Sequence, residues 1–323
     1  MIEVSVLVEG LGGLRWPTWK RLVEAVEAGG FAGLFFSDHF VFPDIPTVNS
    51  LELIVALTYL ADHTQRIHFG SLVAPFSFRD PVMLVRQAAV LADLSDGRMC
   101  LGVGAGWMEY EHQMFGYDLG NMQKRMDRFS EGLEVITRLL QSTEPVSFDG
   151  QFYKLHEATL PQRLHYPGGL PILVGGEGLR RTLPLVARYA DIWNMRRPAP
   201  DSFRALSAKL DELVRAAGRE PNAMKRTILM PIICWRDTAE LERCLQPYRH
   251  IFPKYVDTPV DALLDEVRGF FTTVIVGAPD EVIHQIRAYD AAGVDELIIQ
   301  WFGVEDVEGL QVLAEQVLPH VSV

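Results

Sequence analysis

The chain has 323 residues, of which 48% are hydrophobic and 22% charged, so it has the composition of a globular protein with a large core. Its formal net charge of −12, without a basic stripe, argues against DNA, RNA and anionic membranes as partners. Three cysteines without a C-x-x-C pair give no disulfide framework and no zinc site, which favours the reducing cytoplasm. The N-terminal segment lacks the pattern of a signal peptide, and we expect neither a secretory leader nor a membrane span nor a bound metal.

Short apolar runs alternate with helical patterns along the whole chain. Strands are predicted at 2–8, 32–37, 66–73, 99–104, 170–174, 190–194, 227–233 and 295–301. Helices are predicted at 17–28, 50–62, 81–96, 179–189, 202–217, 279–292 and 306–318, and another carries Met126, Phe129, Leu133, Ile136 and Leu140 at helical spacing. Ser50 and Asp80 are the predicted N-caps of the second and third helices.

The alternation of eight strands with eight helices predicts an α/β fold, the (β/α)8 TIM barrel. A doubly wound fold would have fewer strands and a regular glycine motif after strand one, whereas Gly10, Gly12 and Gly13 are wrongly spaced. Two stretches are too long for ordinary connections. The first, about 144–169, resembles a hairpin-bearing insertion, and the second, about 234–276, is expected to be helical and to form a lid or an extra layer. We expect one domain over 1–323 with these insertions.

Chemistry in such barrels gathers at the C-terminal ends of the strands. Asp38 and His39 follow the second strand, where an aspartate accepts hydrogen bonds and a histidine exchanges protons near neutral pH. Outside a barrel, this pair would more often be a loop histidine with a capping partner. Glu9, at the end of strand one, is either a second acid–base group or a solvated loop residue.

Glycine-rich corners end two further strands. Gly104-Ala105-Gly106 follows strand four, and Gly175-Gly176-Glu177-Gly178 connects strand five to a helix. Glycine lets a ligand approach the backbone, and free N–H groups at a helix start suit a phosphate, although tight turns also use glycine for steric reasons alone. Glu177 would then face solvent or a cofactor hydroxyl.

Two tryptophans near strand ends are candidate walls of an aromatic pocket. Trp107 follows the strand-four corner, and Trp193 lies near the end of strand six. Aromatic residues at such positions are more often part of the core, so each alone is a weak indication.

Taken together in their order, several motifs resemble the luciferase-like monooxygenase superfamily. They are Phe36-Ser37-Asp38-His39, Arg79-Asp80-Pro81, Ser95-Asp96-Gly97-Arg98, Gly102-Val103-Gly104-Ala105-Gly106-Trp107 with Glu111-His112, Phe148-Asp149-Gly150-Gln151-Phe152-Tyr153, Pro171-Ile172-Leu173-Val174-Gly175-Gly176 with Tyr189-Ala190-Asp191, and Gly277-Ala278-Pro279-Asp280-Glu281-Val282 with Ala292-Gly293-Val294-Asp295. The resemblance covers nearly the whole chain. Members of this superfamily use reduced FMN with O2 or the deazaflavin coenzyme F420, and the motifs here are more similar to the deazaflavin branch.

The resemblance implies a binding arrangement for such a cofactor. It implies a non-prolyl cis peptide at Ser71-Leu72 that supports one ring face, and it places His39, next to Asp38, near the ring as proton donor or acceptor. The corners 104–106 and 175–178 would hold the ribityl chain and phosphate. It also suggests a homodimer. Deazaflavin-dependent sugar-phosphate dehydrogenases carry a glutamate where this chain has Trp107, which argues against sugar-phosphate oxidation.

Three functions follow from the sequence. The first is an F420-dependent oxidoreductase that transfers a hydride between the cofactor and a small organic substrate. The second is an FMN-dependent monooxygenase that consumes O2, and the third is a non-catalytic flavin-binding barrel. The sequence leaves the substrate open, because one barrel fold hosts many chemistries.

Overall fold

The computed structural model describes residues 1–10, 13–41, 49–160, 169–251, 253–271 and 273–322. Its strands are β1 (Glu3–Val8), β2 (Gly33–Phe36), β3 (His68–Ser71), β4 (Ala74–Pro75), β5 (Met99–Gly104), β6 (Val146–Asp149), β7 (Lys154–Ala158), β8 (Ile172–Gly175), β9 (Ile192–Arg196), β10 (Lys225–Cys234), β11 (Ile275–Gly277) and β12 (Glu296–Trp301). Eight of them pair in parallel in the order β1, β2, β3, β5, β8, β9, β10, β12, and β12 pairs back to β1. This closed sheet confirms the predicted TIM barrel.

Helices surround the barrel. They are α1 (Trp16–Ala28), α2 (Leu53–His63), α3 (Pro81–Leu94), α4 (Glu109–Phe115), α5 (Met122–Gln141), α6 (Thr182–Tyr189), α7 (Pro200–Ala216), α8 (Thr238–Ile251), α9 (Val260–Phe270), α10 (Pro279–Ala291), α11 (Val307–Gln316) and α12 (Leu318–Val321). The eight predicted helices are confirmed as α1, α2, α3, α5, α6, α7, α10 and α11. The alternation is less strict than predicted, because the short helix α4 stands between β5 and α5 without having been predicted. In the described part of the chain, no helix is both long and apolar enough to cross a bilayer.

One of the two predicted helix caps is confirmed. The Asp80 side chain accepts a hydrogen bond from the backbone N–H of Met83 at 2.9 Å and starts α3. The prediction for Ser50 is wrong, because α2 starts at Leu53 and its cap is Glu52, which accepts from the N–H of Val55 at 3.0 Å. Ser50 lies two residues before the observed cap.

The core has two layers because successive side chains on a strand point to opposite faces. The larger layer lies between the strands and the helices and contains residues such as Trp19, Phe36 and Phe129. A smaller cluster fills the barrel and consists of Leu7, Phe35, Leu72, Cys100, Leu173, Leu229 and Ile298, with Val73 and Ile192 packed against it. The barrel interior is therefore packed below the site described next.

Charged side chains close the barrel at the N-terminal ends of the strands. The buried Glu296 carboxylate accepts from His68 Nε2 at 2.9 Å and from the hydroxyl of Ser5, and it lies 2.8 Å from Lys225 Nζ, which also pairs with Glu3. Burial raises the pKa of Glu296, but the hydrogen bonds and charges of His68 and Lys225 outweigh it and lower that pKa to about 2. We call this set of residues the floor network.

The two insertions have different structures. Within 144–169, β6 and β7 form the expected antiparallel hairpin, while residues 161–168 lie outside the described part of the chain. Within 234–276, α8 and α9 are helical as expected, and β11 adds to the end of β10. The side chains of Leu245, Tyr248 and Phe271 belong to a second apolar cluster, so this insertion is an extra layer with its own core.

Candidate active site

A histidine–glutamate pair lies at the C-terminal mouth of the barrel. His39 follows β2, and its Nδ1 lies 3.1 and 3.2 Å from the two carboxylate oxygens of Glu111 in α4. The same carboxylate accepts from the backbone N–H of Phe40 at 3.1 Å. Since Nδ1 faces a carboxylate, it carries the proton, and Nε2 makes no hydrogen bond to any residue of the described ranges. That nitrogen is free to exchange a proton with a ligand.

The helix that carries Glu111 is fixed against the barrel by its neighbour. His112 donates from Nδ1 to the carbonyl of Met108 at 2.7 Å, so its Nε2 accepts from the hydroxyl of Ser77, also at 2.7 Å. A Cβ on Gly106 would lie 2.2 Å from that hydroxyl oxygen, and Gly106 has a φ of +84°. Glycine is therefore required at Gly106 for the chain to turn from β5 into α4.

The environment of His39 adjusts its protonation. Burial lowers the pKa of His39, but the hydrogen bond and charge of Glu111, with further contributions from Glu9 and Asp38, raise it more. The net result is a pKa above the ordinary value of 6.5 for a side chain that is still 19% exposed. His39 is therefore a stronger proton acceptor than a free imidazole, and part of its side chain remains accessible to a ligand.

Glu9 is held at the same mouth by an amide. Gln300 Nε2 in β12 donates to Glu9 Oε1 at 2.7 Å, and Gln300 Oε1 accepts from Arg197 Nε at 3.2 Å and Nη2 at 2.6 Å. Arg197 follows β9 and lies over the ring of Phe271, 4.3 Å from Cζ to the ring centroid. The structure thus links Glu9 to the opposite side of the barrel.

Asp38 is engaged in an ion pair. Arg79 donates to both of its carboxylate oxygens, from Nε at 2.8 Å and from Nη2 at 2.7 Å. Arg79 also lies 2.7 Å from Glu52, and the Asp38 side chain is buried. The carboxylate therefore anchors the strand end beside His39, and its predicted part in cofactor binding stays a prediction.

The loop after β3 brings its side chains to the centre of the mouth. The cis peptide is Leu72-Val73, so the predicted position, Ser71-Leu72, is wrong by one residue. Ser71 is buried, and its hydroxyl donates to the carbonyl of Gly102 at 2.7 Å. Leu72 continues the inner cluster, and Val73 packs against it.

Val73 lies between the two glycine corners. A Cβ on Gly104 would be 2.6 Å from one Val73 methyl group, whereas a Cβ on Gly175 would be 3.6 Å from the other. Packing against Val73 therefore requires glycine at Gly104. At Gly175, by contrast, there is room for a Cβ at ordinary contact distance. Ala105 packs against the outer core.

The corner after β8 turns sharply before α6. Gly176 has a φ of +130°, which requires glycine, and a Cβ on Gly178 would be 2.8 Å from the Thr182 hydroxyl oxygen. Glu177 is exposed, and its carboxylate accepts from the backbone N–H of Arg196 at 3.2 Å. The backbone at Gly178 therefore packs closely against Thr182 at the start of α6.

The two tryptophans have different environments. Trp107 is 64% exposed and its ring makes an edge contact with His39, with 5.6 Å between centroids. Trp193 is 0% exposed, stacks on Phe203 of α7 and donates from Nε1 to the Gly176 carbonyl at 2.8 Å. Its expected place as a pocket wall is corrected, because the alternation of β9 points this ring toward the helices.

Sequence reasoning missed the partners of the mouth residues. Glu111 was noted only as part of a motif, and Gln300 and Arg197 were not selected. The available signal for Glu111 was its position: it lies shortly after the end of β5 and is followed directly by a second histidine, His112. Gln300 gave a weaker signal, a polar residue in an apolar strand, where a buried amide requires partners.

The fold and this mouth define a TIM-barrel protein with a cluster of partly accessible ionisable groups at the C-terminal strand ends. The family model described as luciferase-like monooxygenase matches residues 7–296. The chain belongs to that family, and it is an enzyme of the oxidoreductase class.

Three similar proteins illustrate the range of the family. An F420-dependent glucose-6-phosphate dehydrogenase from Amycolatopsis mediterranei (strain U-32) is 26% identical over 319 residues, covering 91% of each chain. A 4-hydroxyprotoasukamycin monooxygenase from Streptomyces nodosus subsp. asukaensis is 33% identical over 313 residues, covering 91% of this chain and 83% of the relative. The solved structure of an F420-dependent secondary alcohol dehydrogenase in complex with an F420-acetone adduct has a TM-score of 0.81 at 20% identity and covers 100% of both chains.

Proposed function

We propose that the protein is an F420-dependent oxidoreductase that transfers a hydride between the deazaflavin and a small organic substrate. The observation that carries this proposal is His39, whose Nδ1 is held by Glu111 while its Nε2 has no hydrogen-bond partner among the described residues. Hydride transfer to or from a carbonyl or an alcohol is accompanied by a proton, and a histidine whose pKa is raised by a neighbouring carboxylate can accept or donate that proton.

The residues present at the mouth fit a deazaflavin or a flavin. Leu72 and Val73 offer an apolar surface for a planar ring, and Gly175 lacks a side chain where a Cβ would meet only Val73 at ordinary contact distance. The corner 176–178, in which Glu177 and Gly178 are exposed, precedes α6, whose N-terminal N–H groups suit a phosphate. When bound, the cofactor would supply the hydride chemistry.

The chain's own residues would orient His39, shield the reacting groups from water and supply or accept the proton. Glu111 would fix the tautomer and direction of His39, so that Nε2 holds or releases the proton. Trp107, against the edge of the His39 ring, would cover one side of the reacting groups and limit water there. Glu9 would add a negative charge that favours the protonated histidine.

FMN-dependent monooxygenation is the second candidate. It is favoured by the 33% identity to a named monooxygenase, which exceeds the 26% identity to the F420-dependent relative described above. The likeness of the motifs around 38–39 and 104–107 to the deazaflavin branch favours F420 instead. The two functions differ in whether turnover consumes O2.

Titration of the purified apo-protein with F420 and with FMN tests the proposal. Tryptophan fluorescence is the readout, and a Trp107→Phe variant is the matched control, because Trp107 is the exposed tryptophan in contact with His39. Tight binding of F420 with weak binding of FMN supports hydride transfer by the deazaflavin, and the reverse preference with O2 uptake supports the monooxygenase. A wild type that binds cofactor without turnover, and a His39→Ala variant that changes nothing, would indicate a non-catalytic barrel.

We also infer that the protein forms a homodimer and is one domain in the cytoplasm. Exposed apolar side chains on α2 and α3, Val55, Met83, Val90 and Leu94, support an interface on that face. Sedimentation equilibrium of the wild type and of a Met83→Glu variant tests it, and a monomeric wild type would refute it.

A further inference from the structure

Arg197 is a half-buried cation at the mouth that has no direct ion pair in the described part of the chain. It is linked to Gln300 and Phe271, and no carboxylate among the described residues forms an ion pair with it. In the cavity of about 580 Å³ between α1, α8 and the start of α11, by contrast, Arg21 pairs with Glu305, and Arg243 pairs with Asp306 and Glu308. Arg197 is thus held at the mouth by a neutral amide and an aromatic ring.

The guanidinium is oriented with one edge occupied and one edge free. Nε and Nη2 both donate to the single oxygen Oε1 of Gln300. The other edge, formed by Nη1 and Nη2, therefore keeps three N–H groups, and no described residue accepts from Nη1. A planar fork of this kind matches two oxygens of a carboxylate or a phosphate.

The backbone and the neighbouring ring hold this orientation. Arg197 has a φ of +53°, an uncommon conformation for a residue with a side chain, and its N–H donates to the carbonyl of Leu229 at 2.9 Å. Phe271 covers one face of the guanidinium. Burial and the neighbouring Arg196 lower the pKa of Arg197 to about 10, so the side chain remains charged at neutral pH and would be stabilised by an incoming anion.

We propose that Arg197 is the anchor for an anionic group, a carboxylate or a phosphate, on the substrate of this enzyme. The inference rests on the proposed function. It places the anionic group of that substrate at Arg197, across the mouth from His39, while the reacting group lies at His39. Gln300 is the positioning residue, because it links the cation to Glu9 and sets which edge of the fork is free. The site would reject a substrate that lacks the anion, because the cation would then be left without a partner.

The test uses inorganic phosphate and acetate as probes on the wild-type protein, with and without saturating cofactor. Binding is measured from the broadening of the phosphorus-31 and carbon-13 NMR signals at constant ionic strength. We expect saturable broadening that weakens at least tenfold in Arg197→Met and persists in the control Arg196→Gln, whose side chain is exposed. Phosphate and acetate distinguish the two anions by which one binds more tightly.

Two further variants keep the test informative. Arg197→Lys retains a charge but lacks the fork, and Gln300→Leu leaves the arginine without its support, so both should weaken binding even if Arg197→Met does not fold. Equal affinity in the wild type and Arg197→Lys, or no saturable binding to the wild type, would overturn the proposal.

Titrating the same variants with F420 and FMN separates this proposal from the proposed function. Unchanged cofactor affinity in Arg197→Lys supports a substrate anchor. Loss of cofactor affinity together with loss of anion binding would assign the arginine to the cofactor and overturn the proposal. A wild type that binds neither cofactor but binds the anion through Arg197 would refute the proposed function and support the anion site.

Discussion

The barrel holds one histidine–glutamate pair at each end, and the two pairs differ in their other partners. In the floor network, Glu296 is shared by His68, Ser5 and Lys225, so a permanent cation fixes its charge. At the mouth, Glu111 contacts His39 and a backbone N–H, so its ionic partner is a side chain that can itself gain or lose a proton. The first arrangement lowers the pKa of the acid, and the second raises the pKa of the histidine.

This comparison shows how identical residue types divide between stability and chemistry. A buried carboxylate with three partners contributes to the stability of the folded state. A histidine with one nitrogen bound and one nitrogen free can change its protonation during a reaction. Variants at the two ends should therefore affect different measurements.

The largest expected effect is on activity at the mouth. His39→Asn should lower kcat/KM by about 10²- to 10⁴-fold, because a positioned proton donor or acceptor contributes that much. Steady-state kinetics with the cofactor that binds measures it. His68→Asn is the matched control, because His68 lies in the floor network at the opposite end of the barrel. Its kcat/KM per folded molecule should stay within about threefold of the wild type, a change of less than about 1 kcal/mol in the activation free energy. A His39 variant with nearly full activity would remove the proposed proton transfer.

Next in size is the effect on stability at the floor. Glu296→Ala should lower the free energy of unfolding by about 3 kcal/mol, because it removes one member of a buried ionic network and leaves Lys225 with Glu3 alone. Urea unfolding measures this change. Glu111→Ala is the matched comparison at the mouth and should cost less, because His39 can lose its proton when the carboxylate is gone. Equal losses would contradict the comparison.

The acid dependence of stability should follow from the floor network. The pKa of Glu296 is about 2 in the folded protein, below its ordinary value of 4.5, so the unfolded chain binds the proton first as the pH falls. Its stabilising contribution, roughly 3 kcal/mol, is present above about pH 4.5 and is lost as the pH falls toward about 2. Unfolding free energies at about pH 5 and about pH 3 should differ less in Glu296→Gln than in the wild type. The same pH dependence in both proteins would refute this assignment.

The smallest effect is expected at Trp107. An edge contact between rings contributes roughly 0.5 to 1.5 kcal/mol, so Trp107→Ala should lower kcat/KM by about two- to tenfold. Met122→Ala, at another exposed apolar side chain, is the control and should leave kcat/KM unchanged. A loss beyond about a hundredfold would mean that Trp107 contacts the reacting groups more directly than its contact with His39 indicates.

The parts of the fold that depend on local patterns could be predicted from the sequence. The strand runs and the Asp80 cap are encoded within a few residues, so the closed barrel and the start of α3 are as expected. Local patterns failed at the start of α2, where two nearby residues could each cap the helix. Ser50 resembles a cap, but α2 starts three residues later at Leu53, and Glu52 supplies the oxygen.

The mouth residues could be predicted only as individual positions. His39 and Glu9 follow strand ends, which local patterns locate, whereas the contact between His39 and Glu111 joins positions 72 residues apart. The side on which Trp193 lies depends on which face of β9 is inward, and one residue of phase reverses it. Gln300 and Arg197 are in contact although they are 103 residues apart in the sequence. Closure of the barrel brings them together, and no single motif contains both.

The most direct test of the mouth pair is a histidine NMR titration of His39 in the wild type and in Glu111→Gln, assigned with His39→Asn. We expect a pKa above 6.5 in the wild type and a lower pKa in the variant, because the charge of Glu111 stabilises the protonated ring. A wild-type pKa at or below 6.5, or the same pKa in both proteins, would show that this pair is not arranged to hold and release a proton.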